Sequence, residues 1–188
     1  MLGPQKSQLD KLKQDWHARV KNANDATVAA YLDGSVYNLS SIVVLAEMND
    51  KRILLTGDAR GDNILEGLEN AKLLVNGKIH VDVLKMPHHG SHHNVAPDFF
   101  ERVTADRYVI SANGKYDNPD IATLQLLSQV RGQDEFELCI TNSILTVRSF
   151  YDAERASGKR YQLVELQNNP RAHTGLRFDL GSALPDTW

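Results

Sequence analysis

Four histidines lie close together in the segment "VLKMPHHGSHHN", which covers residues 83–94. They are His88, His89, His92 and His93, four within six residues. Neutral imidazole is a ligand for zinc, iron, nickel and copper, and carboxylate suits manganese as well. A single loop histidine is usually solvated. Four of them, directly after an apolar run and a proline, favour a metal role for at least one.

Two further polar clusters follow apolar runs. Asp58 comes directly after "RILLTG", and the segment "NGKYDN" at residues 113–118 comes after "RYVISA". In layered α/β folds, ligands gather at the carboxyl ends of strands, where the loops converge. We therefore expect Asp58, the histidine segment and residues 113–118 to share one site.

Other chemical readings of these residues are weaker. Asp58 taken alone is more often a turn or cap residue. A calcium loop at "TGDARGDN" is disfavoured because Arg60 stands where an oxygen ligand is needed. Ser91 lacks the Gly-x-Ser-x-Gly context of a nucleophile, and the chain has no phosphate-binding loop of the Walker type.

The elements that must position these residues alternate between strands and helices over residues 40–131, which predicts an α/β architecture. Ser7 is the predicted cap of a first helix with Leu9, Leu12, Trp16 and Val20 on one stripe, and Asp62 is the predicted cap of a second helix. Residues 21–38 are interpreted as a connection, and residues 168–188 show no clear period. The predicted strands are 42–48, 52–57, 81–87, 106–112, 136–142, 144–150 and 160–166, with a hairpin at "NDK"; the further helices are 63–74, 96–103 and 118–132, and a charged loop covers 151–160.

The composition fits one domain. The chain has 188 residues, 41% of them hydrophobic, which suffices for a core. A net charge of -3 gives no electrostatic case for general nucleic-acid or membrane-surface binding. The lone Cys139, inside an apolar run, excludes a disulfide framework and predicts a core residue. No apolar run of membrane-spanning length and no signal peptide is visible, so we expect a cytoplasmic location.

Three segments together resemble a known family. They are "NLSSIVVLAEMNDKRILLTGDA", "VDVLKMPHHGS" and "RYVISANGKYDNPDIATLQLL". In order and spacing they are similar to the metallo-β-lactamase superfamily, and to the branch found in competence DNA-uptake proteins and their free-standing relatives. The resemblance covers roughly residues 38–130, and the combination is specific where a lone His-His-Gly would be weak.

The resemblance implies an αββα sandwich and a dinuclear hydrolytic site. Asp58 matches the carboxylate that bridges the two metals, and His88 matches a ligand of the second metal, with His89 as the alternative. The implied cofactor is two zinc ions, with manganese as another candidate. The implied mechanism is activation of a bound water and polarisation of the scissile group.

The sequence departs from the family pattern in two places. The principal His-x-His-x-Asp-His motif is absent, and His17 and His80 are isolated. Where the family carries His-Pro, this chain carries Asn118-Pro119, and asparagine can only hydrogen-bond. The missing motif suggests that the chain is the C-terminal half of the fold, with the N-terminal half supplied in cis or in trans.

These observations lead to a single domain over 1–188, with a core part at 1–131 and C-terminal strands plus an extension at 132–188. The first functional hypothesis is a metal-dependent hydrolase of phosphodiesters or related esters, whose substrate is a small molecule or a nucleic acid. Asp58 and His88 would be catalytic, and Lys85 and Lys115 could attract phosphate or could simply be solvated. The alternatives are a non-catalytic half-domain or pseudo-enzyme that acts as an interaction module, and a nucleic-acid binder without hydrolysis, which the near-neutral charge disfavours. The predicted substrate-side residues are His92, His93, Asn113, Lys115 and Asn118.

Overall fold

A mixed β-sheet, with its strands arranged in chain order, organises the chain in a computed structural model that describes residues 1–20 and 37–165. Helices pack against this sheet. The α/β prediction is thereby confirmed, and the arrangement is compatible with one half of a layered sandwich. Within the described residues the strands are β1 Val44–Met48, β2 Lys51–Leu55, β3 Ile79–Lys85, β4 Val103–Ile110, β5 Glu137–Ile140 and β6 Gln162–Glu165; the helices are α1 Lys6–Val20, α2 Gly61–Asn70, α3 Pro97–Arg102, α4 Ile121–Arg131 and α5 Leu145–Ala156.

The strand directions bring the predicted site together. β1 and β2 form an antiparallel hairpin, whose turn residues Asn49 and Asp50 have φ values of 51° and 62°. Asn and Asp tolerate this left-handed conformation, and tight hairpins require it. β2 to β6 then run parallel to one another. The carboxyl ends of β2, β3 and β4 therefore lie side by side at one edge of the sheet.

The core is built on a row of side chains that crosses the sheet. Leu54, Leu84, Tyr108 and Leu138 are paired in register on neighbouring strands, and none is more than 1% exposed. α2 adds its apolar face, on which Ile64, Leu65 and Leu68 are all buried. Burial of this face removes apolar surface from water and holds α2 on the sheet.

Cys139 is fully buried on β5, as the prediction of a core residue requires. Burial raises the pKa of its thiol to about 12, and the nearby carboxylate of Glu137 adds to the rise. The thiol is therefore neutral at physiological pH and acts as a small apolar group.

One predicted strand and one predicted loop are wrong. Residues 144–150 and 151–160 were expected to be a strand followed by a charged loop, but α5 covers most of both. Val147 is buried, and Phe150 and Tyr151 pack against the core from the same face. This spacing of three and four is a helix period that continues across the expected boundary. The β-branched content of "ILTV" favoured a strand only when it was read alone.

Two predicted helix caps are also wrong. α1 begins at Lys6, so Ser7 lies inside its first turn, and the Gln5 backbone N–H donates instead to the Gln8 side chain at 2.9 Å. α2 begins at Gly61 after Arg60, so Asp62 lies in the first turn and not at the cap. An acid there still interacts favourably with the helix dipole.

Some predictions about α1, the connection that follows it and the C-terminal tail are either not matched by the structure or lie outside the described residues. Leu9, predicted to lie on the apolar stripe of α1, is 43% exposed. Three other parts of the prediction lie outside what the structure describes. They are the side chains of Trp16 and Val20, most of the expected connection at 21–38, and the tail from residue 166 onward. Among the helices that are described, none has the length and apolarity needed to cross a bilayer.

We expect Asp82→Ala to lower the free energy of unfolding by about 1–2 kcal/mol. The Asp82 carboxylate accepts hydrogen bonds from Lys51 Nζ at 2.9 Å and from the Arg52 backbone N–H at 2.8 Å, which joins β3 to the start of β2. Burial raises the pKa of Asp82, but these two donors outweigh it, so the net pKa lies below its usual value. Urea denaturation at neutral pH measures the loss.

The pH dependence follows from the sign of that shift. Because the folded pKa is lower than the unfolded one, the ionised Asp82 stabilises the fold above the ordinary aspartate pKa, and this contribution is lost as the pH falls through the folded value. Asp82→Asn should therefore cost most at pH 7 and least near pH 3. Asp152→Asn on the exposed part of α5 is the control. An equal cost at both pH values would contradict the assignment.

Candidate functional site

The turn after β2 places Asp58 at the carboxyl edge of the sheet. Thr56 is fully buried and donates its hydroxyl to the Lys85 carbonyl at 2.7 Å. Gly57 has a φ of 55°, and a Cβ there would approach the Ile42 carbonyl at 3.3 Å. The Asp58 backbone N–H donates to Ser41 Oγ at 3.2 Å. The turn is thus held from both sides, and the Asp58 carboxylate is left to face the neighbouring loop.

Lys85 supports this turn from β3. Its Nζ donates to the Gly57 carbonyl at 2.8 Å. Burial lowers the pKa of Lys85, and the Asp58 carboxylate partly opposes that shift. The amine therefore binds the Asp58 turn, and the expectation that Lys85 attracts phosphate does not match its position.

The loop after β3 carries the histidines in an unusual backbone conformation. His88, His89 and Gly90 have successive φ values of 43°, 57° and 83°. A positive φ is uncommon for residues other than glycine, and such strained conformations cluster at functional sites as well as in turns. The His88 N–H donates to the Gly57 carbonyl at 3.1 Å, which ties the histidine loop to the Asp58 turn.

The His88 ring is held through its Nδ1 atom. Asn94 Oδ1 lies 2.8 Å from His88 Nδ1, and Asn38 Nδ2 lies 3.2 Å from the same nitrogen. Asn94 is itself buried, and its amide nitrogen donates to the Asp58 carbonyl at 3.3 Å. With Nδ1 engaged, the ring nitrogen that can bind a ligand is Nε2.

The His89 ring is also held through its Nδ1 atom, and its Nε2 atom faces Asp58. Its Nδ1 lies 2.5 Å from the Ser111 backbone carbonyl, which can only accept, so Nδ1 carries the proton. His89 Nε2 is then unprotonated in the neutral ring and lies 3.6 Å from Asp58 Oδ1.

This donor set fits part of a metal site. Metal-binding histidines usually donate their other ring N–H to a carbonyl or carboxylate, and His89 does so. Two ligands with bonds of about 2.0–2.2 Å to one tetrahedral zinc are separated by about 3.4 Å, close to the His89–Asp58 distance. In residues 1–20 and 37–165, however, no group of three or more His, Cys, Asp or Glu side chains is placed to hold an ion.

The predicted substrate-side residues lie around this cluster. His92 and His93 are exposed, and the His92 N–H donates to the Asp120 carboxylate at 2.7 Å. Asn113 accepts from the Lys115 N–H at 3.0 Å, in the loop after β4. Asn118 precedes a cis proline and borders an open groove of about 490 Å³, together with Ile144 and Leu145. Their role toward a substrate stays a prediction.

Sequence reasoning missed Asn94 and Asp120. Asn94 follows the histidines without any spacing that marks it, and only the folded loop brings it to His88. Asp120 binds the histidine loop twice, because its backbone N–H also donates to the Gly90 carbonyl at 3.1 Å. Asn38 and Ser41 belong to the first of the three segments that carry the family resemblance, but only the folded structure shows their partners His88 and Asp58.

His80 does not join the site. It lies on β3, near the opposite end of the strand, where its Nδ1 contacts Thr104 Oγ1 at 2.9 Å and its Nε2 lies 3.2 Å from Asp106 Oδ1. Both ring nitrogens are thus occupied by neighbours on β4.

Together, the fold and the site define an α/β protein with an imidazole–carboxylate cluster at the carboxyl edge of a mainly parallel sheet. Over 99 residues, 52% of its length, the chain is 32% identical to ComE operon protein 3 of Bacillus subtilis (strain 168). Those residues are 12% of that relative, so the chain spans a small part of it. No family model matches the chain. No solved structure matches it either. The partial similarity fits the resemblance to competence proteins that the sequence motifs carry.

Proposed function

We propose that this chain carries part of the site of a metal-dependent hydrolase of the metallo-β-lactamase type, acting on phosphodiesters or related esters. One observation carries the proposal. Two ring nitrogens, His88 Nε2 and His89 Nε2, remain available in a loop tied to the Asp58 turn, and the second lies 3.6 Å from the Asp58 carboxylate. The partial similarity to ComE operon protein 3 and the motif order support it.

In this proposal Asp58, His88 and His89 are ligands of a dinuclear zinc centre, with manganese as the alternative, and the described residues do not bring all three to a single ion. A metal bound there would supply Lewis acidity and lower the pKa of its bound water. The chain's own residues do the rest. The Asn94 and Ser111 oxygens orient the two imidazoles, and Lys115 and Asn118, in the loop after β4, would contact an anionic substrate. The remaining ligands would come from an N-terminal half of the fold, in cis or in trans.

A second candidate is a non-catalytic half-domain or pseudo-enzyme that acts as an interaction module. Catalytic zinc uses three protein ligands. The described part of the chain brings no three such side chains together, which favours this alternative for the chain on its own.

Metal titration of the purified chain tests the proposal. Competition with a chelator measures the Zn²⁺ affinity, and we expect the wild type to bind Zn²⁺. Asp58→Ala and His89→Ala should each weaken this affinity at least about 100-fold. Loss of a ligand should cost more than the 10–100-fold that follows loss of a residue supporting a ligand. His93→Ala, on the exposed part of the same loop, is the matched control and should bind like the wild type. If Asp58→Ala binds as the wild type does, the proposed site is wrong.

Hydrolysis separates the two candidates. Bis(4-nitrophenyl) phosphate is the probe, and it is offered to the zinc-loaded chain alone and to the chain completed by an N-terminal half. Turnover that appears only after completion and is lost in Asp58→Ala supports the hydrolase. Tight metal binding without turnover in either form supports the non-catalytic alternative.

A further inference from the structure

Asn94 is a buried polar residue at the centre of the candidate site. Its exposed fraction is 7%, and it ends the short turn His92–Asn94. A buried amide needs partners for both its oxygen and its nitrogen. Asn94 finds them in two different loops, with Oδ1 at 2.8 Å from His88 Nδ1 and Nδ2 at 3.3 Å from the Asp58 carbonyl.

The direction of these two hydrogen bonds is fixed by the Asp58 carbonyl. A backbone carbonyl only accepts, so the Asn94 group that faces it must be the NH₂. The opposite amide orientation would place two oxygens against each other. Asn94 Oδ1 is therefore the atom that faces His88, and it can only accept.

The His88 proton follows from this. Because Asn94 Oδ1 accepts, His88 Nδ1 must carry a hydrogen, and Nε2 of the neutral ring is left with its lone pair. Asn38 Nδ2 lies 3.2 Å from the same Nδ1, a longer contact than the one to Asn94, and a flip of the Asn38 amide turns its accepting oxygen toward the Nδ1 proton. Asn94 sets the tautomer for two reasons. Its contact with His88 Nδ1 is shorter than that of Asn38, and its amide nitrogen already donates to the Asp58 carbonyl.

We infer that Asn94 is a positioning residue that holds His88 in its Nδ1–H tautomer and ties that ring to the backbone of Asp58. The metal consequence rests on the proposed function, since it assumes that His88 Nε2 and the Asp58 carboxylate bind the same centre. The tautomer itself does not rest on it. Asn94 thus couples two groups that come from the ends of different strands, β2 and β3.

The first measurement is the His88 tautomer in the metal-free protein. Two-bond ¹H–¹⁵N correlation spectra distinguish a protonated from an unprotonated ring nitrogen. We expect His88 of the wild type to be protonated at Nδ1, and Asn94→Ala to shift it toward the Nε2–H form that free histidine prefers. Asn94→Asp keeps an acceptor oxygen and should keep the Nδ1 proton. A purely structural role for Asn94 would leave the tautomer unchanged in Asn94→Ala.

The second measurement is Zn²⁺ affinity by chelator competition. Residues that orient a ligating histidine typically change affinity 10–100-fold, so we expect about that loss in Asn94→Ala. Asn94→Asp restores the acceptor for His88 but not the donor to the Asp58 carbonyl, so it should recover only part of that loss. Gln125→Ala, an exposed amide on α4, is the matched control and should match the wild type.

The outcomes separate this inference from the proposed function. Wild-type affinity and an unchanged tautomer in Asn94→Ala would overturn the inference while the metal site stands. A wild type that binds no zinc but shows the Asn94-dependent Nδ1 proton would overturn the metal site and support the positioning role. Should Asn94→Ala fail to fold, an Nε2–H form of His88 in the wild type would by itself overturn the inference, and an Nδ1–H form retained in Asn94→Asp would support it.

Discussion

Phe136→Ala is expected to lower the free energy of unfolding by about 3–5 kcal/mol, as large-to-small aromatic substitutions in cores do. Phe136 is 2% exposed and lies just before β5. Its ring stacks on Tyr161 with centroids 4.8 Å apart and meets Tyr108 edge-to-face at 5.1 Å. Each aromatic pair contributes about 0.5–1.5 kcal/mol beyond the area it buries. Urea denaturation followed by circular dichroism measures the loss.

Two further variants serve as comparisons for that measurement. Phe136→Leu keeps most of the apolar volume but removes both ring contacts, so it should cost roughly half as much as Phe136→Ala. Tyr116→Ala removes an aromatic ring that is 75% exposed and should stay within about 0.5 kcal/mol of the wild type. A cost below about 1 kcal/mol for Phe136→Ala would show that this cluster is not a cooperative part of the core. Domains have only about 5–15 kcal/mol of stability, so the expected loss brings the chain close to unfolding.

Strands and helices were predictable from the sequence where the apolar residues of an element keep a single spacing along its whole length. β3 reads as an apolar run ended by Pro87, and α2 reads as an apolar stripe, and both formed as expected. α5 was missed because its first residues are β-branched and its last are charged, so the two parts suggested different structures. Its helix period becomes visible only over all twelve residues, and the buried Val147 shows that tertiary packing decides the outcome.

The site was predictable in its location and less so in its contacts. Parallel neighbouring strands must bring their carboxyl ends together, so Asp58, the histidine loop and residues 113–118 share an edge. The preference for His88 over His89 came from the family pattern. The structure places His89 Nε2 near Asp58 and gives His88 a separate set of partners. No sequence rule contains the left-handed φ values of both residues, which set these ring directions.

Gly90→Ala is expected to lower the free energy of unfolding by about 2–5 kcal/mol and to displace the histidine loop. This energy is the sum of the cost of a left-handed backbone conformation for alanine and the cost of overpacking. Gly90 has a φ of 83°, and a Cβ there would lie 2.7 Å from Pro119 Cβ. The Gly90 carbonyl also accepts the Asp120 N–H, so the loop cannot move away without losing that bond. The proline ring on the other side is rigid, which leaves little room for relaxation.

Gly77→Ala isolates the steric part of this effect. Gly77 has a similar φ of 76°, but nothing lies within 4 Å of its ideal Cβ position. Its substitution should cost only the backbone strain, about 1–2 kcal/mol. The difference between the two variants in urea denaturation reports the contact between the histidine loop and Pro119. Changed ring signals of His88 and His89 in Gly90→Ala, but not in Gly77→Ala, would show that this contact also sets the direction of the two imidazoles. Equal costs for both glycines would mean that the loop after β3 and the turn before α4 do not pack against each other.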